Sequence, residues 1–330
     1  MTGPRWMDFA GQAIFHTLVA ALVVEALVRL WGVRQPEQRT GFRLLALGWP
    51  LLVVPALFLA FPGREEESFR DARAIFAGRH WDDLAFLGIG LYGWWIGFMS
   101  AAGLGLFLLD LVPWLRARNV RPPPWIPGAP GSRPAEEALS RAAAALGIEP
   151  PGLAWVEGGA PVLFCTGTRH PRVVISSSAV ELLDRDELAA ALAHELAHLE
   201  RRDPTLSWAL MGARALMWFN PGVQVLVRAI ARDAERTADE RAGQACGDRL
   251  ALASGLLKLY RATEGRGRGT GAGSRPLSAA LAEPIARARA HDIELRCRAL
   301  LGPPPPPVPL ARMRLAAAAA GLGLLLFFVV

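Results

Sequence analysis

Four long apolar stretches alternate with polar stretches along the chain, and they predict membrane-spanning helices. Three lie near the N-terminus, and the fourth is an uncharged tail. A helix that crosses a bilayer needs about 20 consecutive apolar residues. The first three stretches reach this length, whereas the tail is marginal for it. The predicted spans are residues 13–32, 43–62, 84–112 and 313–330.

Between the third and fourth stretches the pattern changes to amphipathic helices interrupted by three short strand-like runs. These runs are 153–157, 161–165 and 172–176. The last two flank a turn-like sequence and predict a hairpin. An edge of this kind is able to accept an extended peptide by strand addition. The alternative is an ordinary hairpin that covers the core.

The pattern predicts a mainly α integral membrane protein with about four transmembrane helices and an α+β domain that holds a small sheet. Pro/Gly-rich segments mark the connections. The predicted parts are a membrane domain at 1–120, a linker at 121–134, the α+β domain at 135–302, a Pro-rich spacer at 303–312 and the C-terminal helix at 313–330.

Composition supports the membrane interpretation. The chain has 330 residues, of which 52% are hydrophobic, and its formal net charge is +6. No compact basic and aromatic surface motif accompanies this charge, so we expect the lipid bilayer and no nucleic acid as a partner. Arginines concentrate in the loop at 33–43 and after the third span, which places these segments and the α+β domain in the cytoplasm. The three dispersed cysteines favour a reducing compartment.

Residues 205–219 form a further apolar run. Their short length and Arg214 favour a buried or membrane-surface helix over a separate span. A span is the alternative.

His194, Glu195 and His198 form the sequence H-E-x-x-H. It lies within residues 187–200, nearly all of which are strong helix formers. Residues four apart share a helix face, so the two imidazoles can bind one metal ion with Glu195 beside them as a base. Asp184 predicts the N-cap of this helix. The alternative is a histidine pair in the core or on the surface.

A second acidic pair, Glu235 and Asp239, also shares a helix face. Such charges alone are typical of a solvated face laced with salt bridges. A hydrolytic zinc site, however, needs three protein ligands and one open position. Downstream of H-E-x-x-H, Glu235 can be the third ligand, and Asp239 can orient a ligand imidazole.

The motif, followed by Trp-Phe-Asn-Pro at 218–221 and Glu235-x-x-x-Asp239, resembles the membrane-bound gluzincin metallopeptidases over residues 135–301. It looks most like the peptidase unit of beta-lactam-sensor transducers, and HtpX-like proteases share the plan. The resemblance implies a zincin-like domain with one Zn²⁺ bound by His194, His198 and Glu235, and Glu195 as the base. Antibiotic sensing is not carried over.

We therefore hypothesise a zinc endopeptidase of a bacterial cytoplasmic membrane whose peptidase domain faces the cytoplasm. Its substrate would be a cytosolic or membrane-associated protein, such as a repressor in signalling or a membrane protein in quality control. Arg232, one turn from Glu235, is a candidate for stabilising the oxyanion, and a surface arginine is the alternative. The alternatives are a non-catalytic signalling or scaffold protein that retains the metal site, and, less favoured, a transporter.

Overall fold

The computed structural model describes residues 5–74, 84–118, 131–167, 170–267 and 276–329. The chain divides into two compact units, and the division falls within two helices. Unit 1 comprises Met1–Val120, Ser207–Asp233 and Pro306–Val330, and unit 2 comprises Arg121–Leu206 and Ala234–Pro305. Unit 1 thus includes 207–233, which the sequence-based division assigns to the α+β domain.

The described residues of unit 1 form helices and one small hairpin, joined by short connections. Its helices up to the first linker are α1 (Arg5–Leu30), α2 (Pro36–Gly48), α3 (Val54–Ala60), α4 (Glu67–Ala72) and α5 (Leu91–Arg118). Among the described residues, three helical stretches are long and apolar enough to cross a membrane, namely Trp6–Leu30, Pro36–Ala60 and Leu91–Leu111. The protein is therefore an integral membrane protein of mainly α class.

The third predicted span begins too early. Residues from 84 to 90 form a hairpin of β1 (Ala85–Phe86) and β2 (Ile89–Gly90) instead of helix. Leu87 and Gly88 have φ values of 53° and 76°. Positive φ at both central residues is the geometry of a two-residue hairpin turn and is incompatible with a right-handed helix. The helix therefore starts only at Leu91.

The second span is interrupted at its prolines. A π-helical segment at Trp49–Val53 joins α2 to α3, and it contains Pro50. Proline lacks the N–H that a regular helix requires, and π-bulges are a common way to accommodate the missing hydrogen bond. Because α2, the π-helical segment and α3 follow one another without a break, Pro36–Ala60 forms one helical stretch that is long and apolar enough to cross a membrane.

The fourth predicted span corresponds to α13 (Ala311–Phe327), which has 17 residues. At 1.5 Å per residue this is about 26 Å, slightly less than a hydrocarbon core of about 30 Å. Its role as a span stays a prediction. The apolar run at 205–219 forms α9 (Asp203–Leu216), which is followed by α10 (Pro221–Cys246).

Unit 2 is an α+β domain with a three-stranded sheet. The strands are β3 (Gly152–Val156), β4 (Leu163–Thr166) and β5 (Arg172–Ser176), in the order β3-β5-β4. β3 and β5 are parallel, whereas β4 pairs with β5 in antiparallel fashion, with Cys165 opposite Val173. The predicted strands and hairpin are confirmed to within two residues. The remaining helices are α6 (Arg133–Leu146), α7 (Ser177–Leu182), α8 (Arg185–Glu200), α11 (Arg249–Gly267) and α12 (Pro276–Leu301).

The core of unit 2 forms around α8. Its apolar residues include Leu188, Leu192 and Leu196, which pack with residues of α6, the sheet and α11. Burial of such side chains stabilises a fold by about 25 cal/mol per Å² of apolar surface. The helix that carries H-E-x-x-H is thus held in the centre of the unit. Most of the predicted linker at 121–134 lies outside the described residues.

Candidate metal centre

The helix α8 begins with a capping box, as the sequence indicates. Asp184 Oδ1 accepts hydrogen bonds from the N–H groups of Asp186 and Glu187, at 3.0 and 2.9 Å, and Glu187 Oε2 accepts from the N–H of Asp184 at 2.9 Å. This reciprocal arrangement satisfies N–H groups that a helix start would otherwise leave unpaired.

The buried Glu187 also binds α11. Its carboxylate accepts from Ser254 Oγ and from Lys258 Nζ, each at 2.5 Å. Burial alone would raise the pKa of Glu187, but Lys258 and Ser254 outweigh it and hold the pKa below its ordinary value. The start of the motif helix is therefore fixed by charge as well as by packing.

The structure brings His194, His198 and Glu235 together. The two Nε2 atoms are 3.3 Å apart. Oxygens of Glu235 lie 3.5 Å from Nε2 of His194 and 3.6 Å from Nε2 of His198. Among the described parts of the chain, these three residues form the one group whose ligand atoms are close enough to share a metal ion.

The spacing suits a tetrahedral ion. With bonds of about 2.0–2.1 Å to nitrogen and oxygen, neighbouring ligand atoms of a tetrahedral Zn²⁺ lie about 3.4 Å apart. The separations of 3.3, 3.5 and 3.6 Å are close to this value, and each of the two to Glu235 involves a different oxygen of its carboxylate. Two imidazoles and one carboxylate also leave a fourth position open, as catalytic zinc sites do. The residues therefore fit the metal that the sequence resemblance implies.

Carboxylates lie behind both imidazoles. Asp239 Oδ1 is 3.0 Å from Nδ1 of His194, and Asp203 Oδ2 is 2.8 Å from Nδ1 of His198. A carboxylate at Nδ1 orients the ring so that Nε2 points at the metal, and it increases the basicity of the ligand. The sequence predicts that Asp239 orients a ligand imidazole, whereas Asp203 was not predicted. Its position could have been recognised in the sequence, because Asp203 lies five residues after His198, at the start of α9.

Arg296 is a second residue that the sequence analysis misses. This buried side chain on α12 donates to both oxygens of Asp239 at 2.8 Å, and its Nη1 lies 3.1 Å from Glu235 Oε2. A planar guanidinium suits such a paired contact with a carboxylate. Arg296 therefore fixes both acidic residues of α10. No local pattern in the sequence connects a position about 60 residues downstream with them.

Charge pairing governs the titration of the cluster. Burial alone would lower the pKa of His194, but Asp239 and Glu235 raise it to about 10. Burial alone would raise the pKa of Glu235, but His194, Arg296 and His198 lower it to about 2. In the metal-free protein the ring and the carboxylate are therefore an ion pair, and a bound metal replaces the ring proton.

Glu195 faces the edge strand. Its Oε2 accepts the backbone N–H of Cys165 at 3.0 Å, and its main-chain oxygen accepts the thiol of Cys165 at 3.1 Å. Burial raises the pKa of Glu195, with opposition from His194 and His198. A raised pKa suits a group that must accept and then release a proton near neutrality. Burial and the neighbouring Glu195 carboxylate also raise the pKa of the Cys165 thiol, which favours the protonated form over the thiolate.

The remaining sequence candidate, Arg232, belongs to unit 1 and is exposed. This agrees with a surface arginine.

Comparison with known proteins agrees with this geometry. Residues 159–271 match the family described as BlaR1 peptidase M56. The matched region contains the H-E-x-x-H motif and the acidic pair of α10, and it ends before Arg296. The resemblance to membrane metallopeptidases of the HtpX and BlaR1 type is confirmed.

Curated relatives point the same way. A protease HtpX homolog of Acidiphilium cryptum is 27% identical over 212 residues, covering 51% of this chain and 72% of the relative. Homologs of the same name from Salinibacter ruber and Pyrococcus furiosus are 34% and 30% identical, over 32% and 36% of this chain. The chain spans about half the length of these two relatives, 48% and 54%. No solved structure matches the chain. These findings support a membrane metalloprotease.

Proposed function

We propose that the protein is a zinc-dependent endopeptidase that hydrolyses peptide bonds of a cytosolic or membrane-associated protein. The observation that carries the proposal is the convergence of His194, His198 and Glu235 within reach of one metal ion, with Glu195 next to His194 on the same helix. A metal used only for structure does not need a neighbouring base, whereas hydrolysis does.

Each residue has a role in this proposal. His194, His198 and Glu235 would hold Zn²⁺, which acts as a Lewis acid on water and on the scissile carbonyl. Glu195 would take a proton from the attacking water and deliver it to the leaving amine. Asp203 and Asp239 would keep the two imidazoles in the ligating orientation.

The edge strand β4 supports an extended peptide as the substrate. In an antiparallel pair, alternate residues direct their N–H and C=O groups away from the partner strand. Ser176 N–H bonds Val162 O at 3.0 Å, so Leu163 and Cys165 are the residues whose backbone groups face outward. The N–H of Cys165 reaches Glu195. A peptide paired with this edge would therefore run beside the base.

The test uses the full chain in proteoliposomes, loaded with Zn²⁺ and supplied with casein. Glu195→Gln removes the base while preserving size, and it should reduce turnover by about 10² to 10⁴-fold. The matched control is Glu200→Gln on the same helix, because Glu200 pairs with Arg241 at 2.7 Å and does not belong to the centre. Equal activity in Glu195→Gln and wild type, or none in wild type, would favour the scaffold alternative.

The biological substrate is open to a second comparison. Proteomes of cells that carry wild type or Glu195→Gln should differ in the abundance of the substrate. Loss of a transcriptional repressor in the wild type would support signalling, and loss of damaged membrane proteins would support quality control. A cytoplasmic orientation in a bacterial membrane belongs to the same proposal and rests on the arginine-rich loops.

A further inference from the structure

Residues Ser207–Asp233 form a helical hairpin within unit 1. The part of α9 from Ser207 to Leu216 leads to a short connection, and α10 begins at Pro221 and runs back. At about 1.5 Å per residue, these ten residues of α9 span about 15 Å, or half of a hydrocarbon core of about 30 Å. The first arm is therefore too short to cross a bilayer.

The tip of the hairpin contacts the middle of α1. Asn220 is fully buried, and its Nδ2 donates to Ala13 O at 3.0 Å and to Thr17 Oγ1 at 2.9 Å. A Cβ at Gly222 would lie 2.8 Å from a methyl carbon of Thr17. Ala13 and Thr17 are about 10 and 16 Å along α1 from Trp6, where the candidate span begins.

The same tip contacts the middle of α5. A Cβ at Gly103 would lie 2.5 Å from the carbonyl carbon of Phe219, so only glycine allows this approach. Gly103 is about 18 Å along α5 from Leu91. Two predicted spans thus place the tip independently at about the mid-depth of the membrane.

The polar groups of the tip are satisfied inside the protein. Gln224 Nε2 donates to the carbonyl oxygens of Arg214 and Met217, at 3.3 and 3.2 Å, and Gln224 Oε1 accepts from Arg214 Nε at 2.9 Å. Arg214 lies in the last turn of α9, where carbonyl groups lack helical N–H partners, and Met217 directly follows the helix. Irregular backbone at membrane depth is tolerated only when it is covered in this way.

Charged residues lie further from the tip, toward the ends of both arms. Arg228, eight residues past Asn220, donates to Asp110 Oδ2 at 2.8 Å, and Asp110 is seven residues past Gly103. Asp233 pairs with Arg43 near the start of the second candidate span. The contact between Arg228 and Asp110 thus lies about the same number of residues from the tip along α10 as along α5. This shows that α10 runs beside α5 from the tip toward the membrane surface at the C-terminal end of α5.

The outward face of α9 is apolar. Trp208 and Leu216 on α9 are 62% and 66% exposed, Trp218 in the connection is 43% exposed, and Val225 on α10 is 53% exposed. Large apolar side chains grouped on one face indicate an apolar environment outside the protein. We propose that 207–233 is a re-entrant hairpin whose outward face is covered by the acyl chains of one bilayer leaflet. The proposal is independent of hydrolysis, because every contact that carries it lies outside the metal centre.

The experiment measures depth in the full chain reconstituted in lipid vesicles. Nitroxide labels are placed by Leu216→Cys and Trp218→Cys in a background in which the three native cysteines are replaced by alanine. Leu22→Cys on α1 is the lipid-facing control, and Glu149→Cys, exposed on unit 2, is the aqueous control. Val225→Cys on the other arm is a second reporter if an α9 variant does not fold.

The hairpin labels should collide with oxygen more than with a water-soluble nickel chelate, at a ratio like that of Leu22→Cys and several times that of Glu149→Cys. A label at Ser207→Cys should give a lower ratio, since it lies at the base. Ratios like that of Glu149→Cys would overturn the proposal. Low access to both reagents would also overturn it, because protein rather than lipid would cover the face.

A second measurement separates half-insertion from a complete span. Trp218→Cys should resist a membrane-impermeant maleimide added from the side where α5 begins, while a cysteine at exposed Leu84, before α5, should react. Reaction of both would show that the hairpin tip reaches the opposite surface, and the half-inserted arrangement would be wrong.

Discussion

The metal centre of unit 2 and the charged clusters of unit 1 both bury carboxylates beside arginines, yet they differ in the balance of charge. The centre has more acidic than basic groups around its two imidazoles. Its four carboxylates and two guanidiniums are Glu195, Asp203, Glu235 and Asp239 with Arg201 and Arg296. When a metal has replaced the proton of His194, both imidazoles are neutral and these groups leave two negative charges, which one divalent cation would neutralise.

The cluster in unit 1 has the opposite balance. Asp110 accepts from both Arg214 and Arg228, so one positive charge remains. Gln224 and the main-chain oxygen of Leu106 complete its hydrogen bonds. The comparison shows that a buried ion cluster alone does not indicate a metal site. An excess of carboxylates around imidazoles does, because an unpaired buried charge is strongly unfavourable.

The largest expected effect separates these two clusters directly. Arg296→Gln leaves Asp239 and Glu235 short of one cation and should lower the free energy of unfolding of the metal-free protein by about 3 kcal/mol. Zinc should restore part of this loss, since it supplies positive charge at the same place. Asp110→Asn should also destabilise the protein, but zinc should restore nothing.

Thermal unfolding in detergent with zinc and with a chelator checks both variants. Arg249→Gln is the matched control, because the guanidinium of Arg249 donates to the main-chain oxygens of Leu300 and Ala299 on α12. If zinc stabilises Arg296→Gln no more than wild type, the charge argument for the centre is wrong.

Removal of a ligand comes next. Glu235→Gln keeps the size of the side chain but loses its charge, and it should lower zinc affinity by more than about 100-fold, beyond the range typical of residues behind the ligands. Competition with a chromophoric chelator measures the affinity. Glu200→Gln should bind zinc like wild type, and equal affinity in the two variants would exclude Glu235 as a ligand.

A smaller loss of zinc affinity is expected when Asp203, which contacts Nδ1 of His198, is changed. Asp203→Asn keeps a hydrogen-bonding side chain at Nδ1 of His198 but removes the charge, and zinc affinity should fall by about 10-fold. Asp186→Asn is the control, as this aspartate is exposed on α8. An unchanged affinity would show that the contact between Asp203 and His198 serves folding alone.

The smallest expected effect is the pH-dependent stabilisation of the folded chain by Glu187, at the start of α8. The pKa of Glu187 is lower in the folded chain than in the unfolded chain, so the unfolded chain binds this proton first as the pH falls. Its stabilisation is therefore complete above about pH 4.3, the ordinary pKa, and disappears as the pH falls through the lowered value. Glu187→Gln should cost about 1 kcal/mol at pH 7.

Melting curves of wild type and Glu187→Gln across pH 3 to 7 check this prediction. The two curves should converge on the acid side. A constant difference over the whole range would mean that the loss reflects packing and not the charge.

Much of this arrangement was predictable from local sequence. The capping box at Asp184, the strands and the pair of His194 and His198 depend on spacings of three to four residues or on alternation, which sequence shows directly. Glu235 was predicted as the third ligand from its position downstream of the motif, and its role stays a proposal. Arg296 was not predictable in this way, since its partners lie on another helix and only tertiary packing brings them together. The predicted start of the third span at residue 84 was wrong for a related reason. Apolar composition does not reveal the positive φ values at Leu87 and Gly88 that form a turn before α5.

Segment 207–233 shows another limit of the sequence. For the overlapping apolar run 205–219, the short length and Arg214 favoured a buried or membrane-surface helix over a span, and α9 has 14 residues. The sequence did not indicate that Gln224 would close the end of α9 or that Asn220 would bind α1. Such contacts depend on how helices pack, which hydrophobic periodicity does not specify.

Lys258 is the sole lysine in the sequence, and its ammonium group binds the glutamate that caps the motif helix. Mild acylation would therefore modify one side-chain amine, at a position that senses whether α8 and α11 remain docked. Slow modification of native protein and rapid modification after unfolding would turn this single amine into a built-in reporter of the integrity of the peptidase unit.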